Sequence, residues 1–306
     1  MIPSTSGGRS GELASGPDCH TLAMPLITPE ELATRIDEPD LRIVDVRWYL
    51  GKPGAGRVAY EVGHLPGAIH LDVDGGLAAP GGPGRHPLPE PAEFAATLAQ
   101  VGIGDGDFVV AYDDVGGWIA ARLWWMLDNL GHARVAVLDG GLPAWTTLGL
   151  PVTTEEPDGG EAELHLAGHW SRVVDRRELL GQLRGIRPPT VLDARAGPRY
   201  RGEVEPIDPV AGHIPTALSA PTDGNLGADG RFLSPALLRA RYSELGAESG
   251  DTVTSCGSGV SACHIALAMR VASLPDPILY PGSWSDWSTA GYPTATGSEP
   301  GALPAK

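Results

Sequence analysis

Cysteine is scarce in this chain: 306 residues hold three, Cys19, Cys256 and Cys263. An odd and sparse set makes no disulfide framework. It fits a reducing cytoplasm, where a thiol stays reactive. Positive charge is also short. Lys and Arg number 22 against 38 Asp and Glu, for a net charge of −16. That balance argues against non-specific binding to nucleic acid or anionic lipid, so neither nucleic acid nor membrane is an expected partner. An anionic substrate would need local arginines to overcome the field. No apolar run reaches the length of a membrane span. Met1 to His20 is rich in Gly and Ser and has no apolar core, which excludes a secretory signal. Met24-Pro25-Leu26-Ile27-Thr28 reads as a more natural start, with residues 1–23 as a flexible tail. By contrast Gly (42) and Pro (29) are plentiful, and apolar runs recur between them, which points to many turns joining short elements.

The chain repeats itself. Val44-Asp45-Val46-Arg47 returns as Leu192-Asp193-Ala194-Arg195, an offset of 193 − 45 = 148. Gly63-His64-Leu65-Pro66 returns as Gly212-His213-Ile214-Pro215, an offset of 213 − 64 = 149. The run Asp107 to Tyr112 aligns with the segment before Cys256, and Asp139 to Trp145 aligns loosely with Tyr280 to Trp287. Blocks in one order at nearly constant spacing mean a duplicated domain. Domain 1 is expected over 24–152, a polar Pro/Gly-containing linker over 153–170, domain 2 over 171–296, and a tail over 297–306.

Within each half the pattern alternates. Thr28-Pro29-Glu30-Glu31 is a capping box that predicts a helix to about Asp37. Strands are expected over 41–46, 108–112 and 135–138, and helices over 91–101 and 118–130. Alternating strands and helices predict an α/β fold with a mostly parallel central sheet flanked by helices in each half. In such sheets, sites form at the C-terminal ends of strands.

Cys256 stands at such an end. The β-rich segment Asp251 to Ser255 precedes it, Gly257-Ser258-Gly259-Val260-Ser261 follows, and an apolar helical stretch runs from Ala262 to Ala272. A loop of small residues at a helix N-terminus can curl so that backbone N–H groups converge on one spot. A thiol held there is expected to have thiolate character and to act as a nucleophile. Cys263, seven residues on, reads as buried packing. His64 and His213 recur in both halves although only one half has the thiol, so they read as structural, as do the Asp45/Arg47 and Asp193/Arg195 pairs. Trp124, Trp125, Trp284 and Trp287 read as core or interdomain packing.

Together these residues resemble the tandem rhodanese-like sulfurtransferases, the thiosulfate and 3-mercaptopyruvate sulfurtransferase family. The resemblance covers roughly residues 25–295. It rests on the paired Asp-x-Arg strands, the paired Gly-His-[Leu/Ile]-Pro turns, Arg199-Tyr200-Arg201-Gly202, the Cys256 loop and Gly282-Ser283-Trp284-Ser285-Asp286-Trp287. It implies two tandem rhodanese-like domains of which the second is catalytic. The first has Asp113-Asp114-Val115-Gly116-Gly117 where the thiol loop would be. It also implies sulfur transfer through a Cys256 persulfide, from a small anionic donor to a thiol, a thioredoxin-like protein or cyanide, with no metal or organic cofactor.

The uncharged loop Gly257 to Ser261 resembles the mercaptopyruvate type, whereas thiosulfate enzymes tend to carry cationic loop residues. For the mercaptopyruvate type a Ser–His–Asp relay has been proposed, and the matching positions are Ser258, His86 and Asp74. Arg199 matches the anion-binding arginine, and Arg201 joins it as a substrate-binding candidate together with Gly257, Gly259, Val260 and Ser261. The second arginine usual after the Glu-Pro segment is missing from Glu205-Pro206-Ile207-Asp208. That leaves Arg201 or Arg85 to replace it, or thiosulfate as the better donor. Two other classes compete. A non-turnover sulfur carrier or interaction module is compatible with the same persulfide. A Cys-x5-Arg phosphatase would need arginine where Ala262 stands.

Overall fold

The computed structural model describes residues 25–157 and 159–305, so the expected tail at 1–23 lies outside them. The chain opens with β1 (Leu26–Ile27) and α1 (Pro29–Arg35). Thr28 Oγ1 accepts from Glu31 N at 3.1 Å while the Glu31 carboxylate accepts from Thr28 N at 3.0 Å, closing the capping box. The helix stops two residues short of Asp37. There follow β2 (Leu41–Asp45), α2 (Ala55–Val62), β3 (Ala68–His70), α3 (Val73–Gly76), α4 (Pro91–Gln100), β4 (Phe108–Tyr112), α5 (Ala120–Asn129), β5 (Val135–Leu138) and α6 (Gly141–Thr147). The strands form one parallel sheet in the order β1-β5-β4-β2-β3.

The second half is built the same way. Its elements are α7 (Arg176–Leu183), β6 (Val191–Asp193), α8 (Gly197–Tyr200), β7 (Leu218–Ser219), α9 (Pro235–Glu244), β8 (Val253–Ser255), α10 (Ala262–Val271), β9 (Ile278–Leu279) and α11 (Ser283–Thr289). They give a second parallel sheet, β7-β6-β8-β9. Two parallel sheets, each flanked by helices, are the tandem α/β arrangement expected. The repeat is visible in register. Asp45 pairs with Tyr112 across β2 and β4, and Asp193 with Ser255 across β6 and β8. Asp113 and Cys256, one residue further on, therefore leave equivalent strands at the same edge.

Structural pairs recur with it. Arg47 clasps Asp45 and donates to Gly63 O at 2.8 Å, and Arg195 clasps Asp193 and donates to Gly212 O at 2.7 Å. His64 stacks on Tyr60 and His213 on Tyr200, at centroid distances of 3.7 and 3.8 Å.

The halves share a core. α5 carries Ala-Ala-Arg-Leu-Trp-Trp-Met-Leu buried on every side, the composition of a helix with no solvent face. It packs on α10, whose first eight residues are likewise buried. One continuous apolar cluster joins Val44, Val109 and Trp124 to Leu192, Ile265 and Met269. The segment between the halves lies along the first. Ala162 N donates to Ala99 O at 3.0 Å, Ala167 N to Leu130 O at 2.9 Å and Trp170 Nε1 to Pro89 O at 2.8 Å. The chain's last described residues turn back on the second half, where Thr216 N donates to Pro300 O at 2.7 Å.

Candidate active site

Cys256 follows β8 directly and its side chain is almost wholly buried. Gly259 N–H donates to its Sγ at 3.1 Å. Gly259 has φ +78°, and a Cβ there would lie 2.4 Å from Pro281 O, so glycine alone lets the loop curl back on the sulfur. Ser283, at the start of α11, accepts from Cys256 N at 3.0 Å and gives its own proton to Tyr280 O at 2.8 Å. The serine thus pins the cysteine backbone.

The equivalent loop of the first half shows what this geometry is suited to hold. Asp113 stands where Cys256 stands, and Gly116 (φ +79°) where Gly259 stands. The buried Asp113 carboxylate accepts N–H bonds from Val115, Gly117, Ile119 and Ala120 at 2.8–3.0 Å. The loop and helix start form an anion nest that the chain's own carboxylate fills.

Ser258, His86 and Asp74 meet although they come from both halves. His86 Nε2 lies 3.2 Å from Asp74 Oδ1, and His86 Nδ1 lies 2.7 Å from Ser258 Oγ. A carboxylate only accepts, so the imidazole proton belongs on Nε2, and Nδ1 accepts from the serine hydroxyl. Burial pushes the His86 pKa down to about 4, which leaves the ring neutral near pH 7. Trp48 holds the arrangement from the side. Its ring meets His86 edge-on at 5.1 Å and its Nε1–H donates to Asp74 Oδ2 at 2.9 Å.

Cys256, Gly257, Ser258, Val260 and Ser261 line a cavity of about 200 Å³, walled by Trp48 and Trp118 of the first half and by Arg85, Arg195 and Arg199. Arg199 donates to Glu205 Oε1 at 2.7 Å and to Asp208 Oδ2 at 3.2 Å, and Arg85 pairs with the same Asp208. A Cβ on Gly257 would lie 3.2 Å from Arg85 Nη2 and 3.4 Å from Arg199 Nη1, so both guanidiniums flank the loop. Arg85 Nε and Arg199 Nε are buried donors without a hydrogen-bond partner among the described residues. Donors left free on arginines that line a cavity with Cys256 suit an anionic ligand. Arg201 does not join them. It pairs with Glu203 at 2.7 Å on the surface, one residue past the end of α8, and does not line the cavity. Of the two arginines considered for the missing cation, Arg85 is the one at the cavity.

Some residues at the site escaped sequence reasoning. Arg195 lines the cavity as well as bracing Asp193. Its recurrence with Arg47 suggested bracing alone. Ser283 carried no signal beyond its glycine-serine context. Asp208 and Glu205 read as the absence of an arginine, not as its counter-charges. Arg122, buried in α5, did carry a signal: a charge set inside the apolar run Ala120 to Leu127. Among the described residues no cluster of three or more His, Cys, Asp or Glu side chains is placed to hold a metal ion. No helix among the described residues is long and apolar enough to cross a membrane.

Comparison with known proteins agrees with the geometry. Residues 28–148 match the family model described as rhodanese-like domain. A protein of Pseudomonas aeruginosa named "Probable 3-mercaptopyruvate sulfurtransferase" is 47% identical over 279 residues, which is 89% of this chain and 98% of that protein. The chain belongs to the rhodanese-like sulfurtransferases. The thiosulfate sulfurtransferase of Rattus norvegicus is 35% identical, over 81% of this chain and 85% of its own length. The solved structure of 3-mercaptopyruvate sulfurtransferase from Leishmania major superposes with a TM-score of 0.75 at 31% identity, covering 87% of this chain and 74% of that one. The chain is thus a sulfurtransferase with two tandem rhodanese-like domains, and relatives named for each donor are on record among its neighbours.

Proposed function

We propose that this sulfurtransferase takes its sulfur from 3-mercaptopyruvate in preference to thiosulfate, and that Cys256 carries it. The observation behind the donor is the Ser258–His86–Asp74 chain, with contacts of 2.7 and 3.2 Å, beside the cysteine. Thiosulfate has no proton to move: its outer sulfur passes to the thiolate and sulfite leaves with the bonding pair. Mercaptopyruvate does. The Cys256 thiolate attacks the mercapto sulfur, an S–S bond forms and the C–S bond breaks. The C–S electron pair goes to the methylene carbon as the enolate of pyruvate. The donor's S–H proton moves through Ser258 and the neutral His86 to that carbon, giving pyruvate and the persulfide anion. Arg199 and Arg85 would hold the carboxylate, and Gly259 N–H the sulfur.

In the second half-reaction an acceptor takes the outer sulfur and frees the Cys256 thiolate. A thiol or thioredoxin-like protein leaves as R–S–SH, and cyanide as thiocyanate. Sparse cysteine and the need for a reduced thiol support a cytoplasmic setting. We assign the units as 24–152 and 171–296, joined by 153–170. Ser258→Ala should lower kcat/KM for mercaptopyruvate by roughly 100-fold or more, the usual scale of acid–base assistance. Its thiosulfate activity should stay within about threefold, since that chemistry needs no relay. Equal losses with both donors would make the relay a structural contact. Intact mass after donor alone should show one added sulfur in wild type and none in Cys256→Ser.

A further inference from the structure

The two helices that follow the nest loops reach into each other's half. Arg122 is the third residue of α5, and His264 the third of α10. Arg122 Nη1–H donates to Gly259 O at 2.9 Å, and His264 Nε2 lies 3.2 Å from Gly116 O. Gly259 and Gly116 are the matching left-handed glycines, three residues after Cys256 and Asp113. The contact is reciprocal, but its charge is not. Burial pushes the His264 pKa down to about 4, so it meets the Asp113 loop as a neutral ring. Arg122 meets the Cys256 loop as a guanidinium.

Arg122 is fully buried. Its Nη2 donates to His86 O and to Leu77 O, both at 3.0 Å. Its bonding partners among the described residues are backbone carbonyls, and it forms no ion pair with a carboxylate there. Carbonyl dipoles solvate a cation but do not neutralise it, and a buried charge without a counter-ion is costly. Burial indeed pushes its pKa down, and the thiols of Cys263 and Cys256 are the titratable groups that pull it back. Of the two, Cys263 is itself fully buried, with its pKa pushed up to about 12 by burial, and stays protonated. Cys256 is tied to Arg122 through one residue: Gly259 gives its N–H to the Cys256 sulfur at 3.1 Å and its carbonyl accepts from Arg122 at 2.9 Å.

We infer that Arg122 is a positioning residue for sulfur transfer: one guanidinium ties the persulfide loop to the relay histidine and sets an uncompensated buried positive charge against the Gly259 carbonyl of the Cys256 loop. The inference rests on Cys256 being the sulfur carrier. It gives the thiol-less half a definite part in the chemistry. The cation meets the carbonyl of Gly259, whose N–H holds the sulfur, while Arg195, Arg85 and Arg199 line the cavity with Asp193, Asp208 and Glu205 beside them. Those three are already matched by carboxylates. Arg122 is not. His86 and Asp74 complete the charged surroundings, and the Arg122 charge adds to the burial that keeps His86 neutral.

The test uses the full chain with Arg122→Gln, Arg122→Lys and, as the control from the other side of the repeat, His264→Gln. Two quantities are read for each: the rate of Cys256 alkylation against pH, with the modified peptide identified by mass, and kcat/KM for mercaptopyruvate. In Arg122→Gln the alkylation profile should move to higher pH, and kcat/KM should fall by roughly 10- to 100-fold, the size expected for losing a charged hydrogen bond. Arg122→Lys keeps the charge but not the fork. It should restore the alkylation profile while kcat/KM remains depressed, because the His86 carbonyl is no longer held. Should Arg122→Gln not fold, the split between profile and kcat/KM in Arg122→Lys carries the test. His264→Gln should leave the profile in place. An unchanged profile in Arg122→Gln, or an equal shift in His264→Gln, overturns the inference, whatever happens to activity. Sulfur found on a residue other than Cys256 in the wild type would instead overturn the functional reading beneath it.

Discussion

Asp208 touches both guanidiniums of the proposed donor pocket, Arg199 at 3.2 Å and Arg85 through a direct ion pair. Its side chain and that of Glu205 are 3% exposed, so these charges are poorly screened. Counting Arg195 with Asp193, the pocket sets three cations against three carboxylates. A lining whose own charges cancel leaves Arg122 behind the loop as the site's one unmatched cation among the described residues, which suits a donor with one negative charge better than one with two. Asp208→Asn removes one carboxylate and frees Arg85. We expect kcat/KM for thiosulfate to rise relative to mercaptopyruvate by about tenfold, the equivalent of 1.4 kcal/mol. A ratio unchanged within about twofold would mean that pocket charge does not set donor choice. Arg85→Ala serves as the companion, since it should weaken binding of both donors while Arg201→Ala, out on the surface, should not.

The nest loops and the helices behind them belong to the next scale. Asp113 accepts four N–H bonds inside the protein. Asp113→Ala would leave those donors buried and unpaired, which should cost about 3 kcal/mol or more in folding free energy. A denaturant titration would measure it, and a loss under about 1 kcal/mol would mean the loop finds other partners. α10 offers a pH test. The His264 pKa is about 4 in the folded protein, against about 6.5 for a free histidine. Between those values the unfolded chain binds a proton that the folded one does not. Stability associated with the neutral ring is therefore complete above about pH 6.5 and lost as pH falls toward 4. From pH 7 to pH 5 this group should account for about 2 kcal/mol of lost stability, and His264→Gln should shrink the drop by that much. An identical drop in both proteins would mean His264 takes up its proton without unfolding.

These elements were also the legible ones. The runs over 108–112 and 135–138 became strands at those residues, because short apolar stretches bounded by turns have little else to be. The capping box gave the start of α1 but not its end, where Ile36 caps the helix and Glu38 N turns back to Arg35 O at 2.9 Å just ahead of Pro39. Gly259 and Ser258 could be read as a loop from composition alone. The ion pair of Arg85 with Asp208 and the bond from Arg122 to Gly259 could not. Each joins residues more than 120 positions apart, and their meeting depends on how the two halves pack. No local pattern encodes that.

Across the whole molecule, the proposed catalytic group is split between the halves. Cys256 and Ser258 come from one, His86, Asp74 and Arg122 from the other, and Arg85 of the first half pairs with Asp208 of the second. The apolar cluster between them is equally shared: α5 and α10 bury their inner faces on each other, so neither half can close its core alone. Separate domains with a small polar interface would unfold one after the other. Here, opening the interface would expose the faces of two helices with no solvent side and strand the Arg122 charge. Opening and unfolding should therefore be one event. Calorimetry of the full chain should show a single transition whose calorimetric and van 't Hoff enthalpies agree. The fragment 160–306, which retains Cys256, should show no sulfur transfer. Two resolved transitions would mean the shared core contributes little. An active fragment would mean that the relay and Arg122 are dispensable, and with them the case for a site built across the duplication.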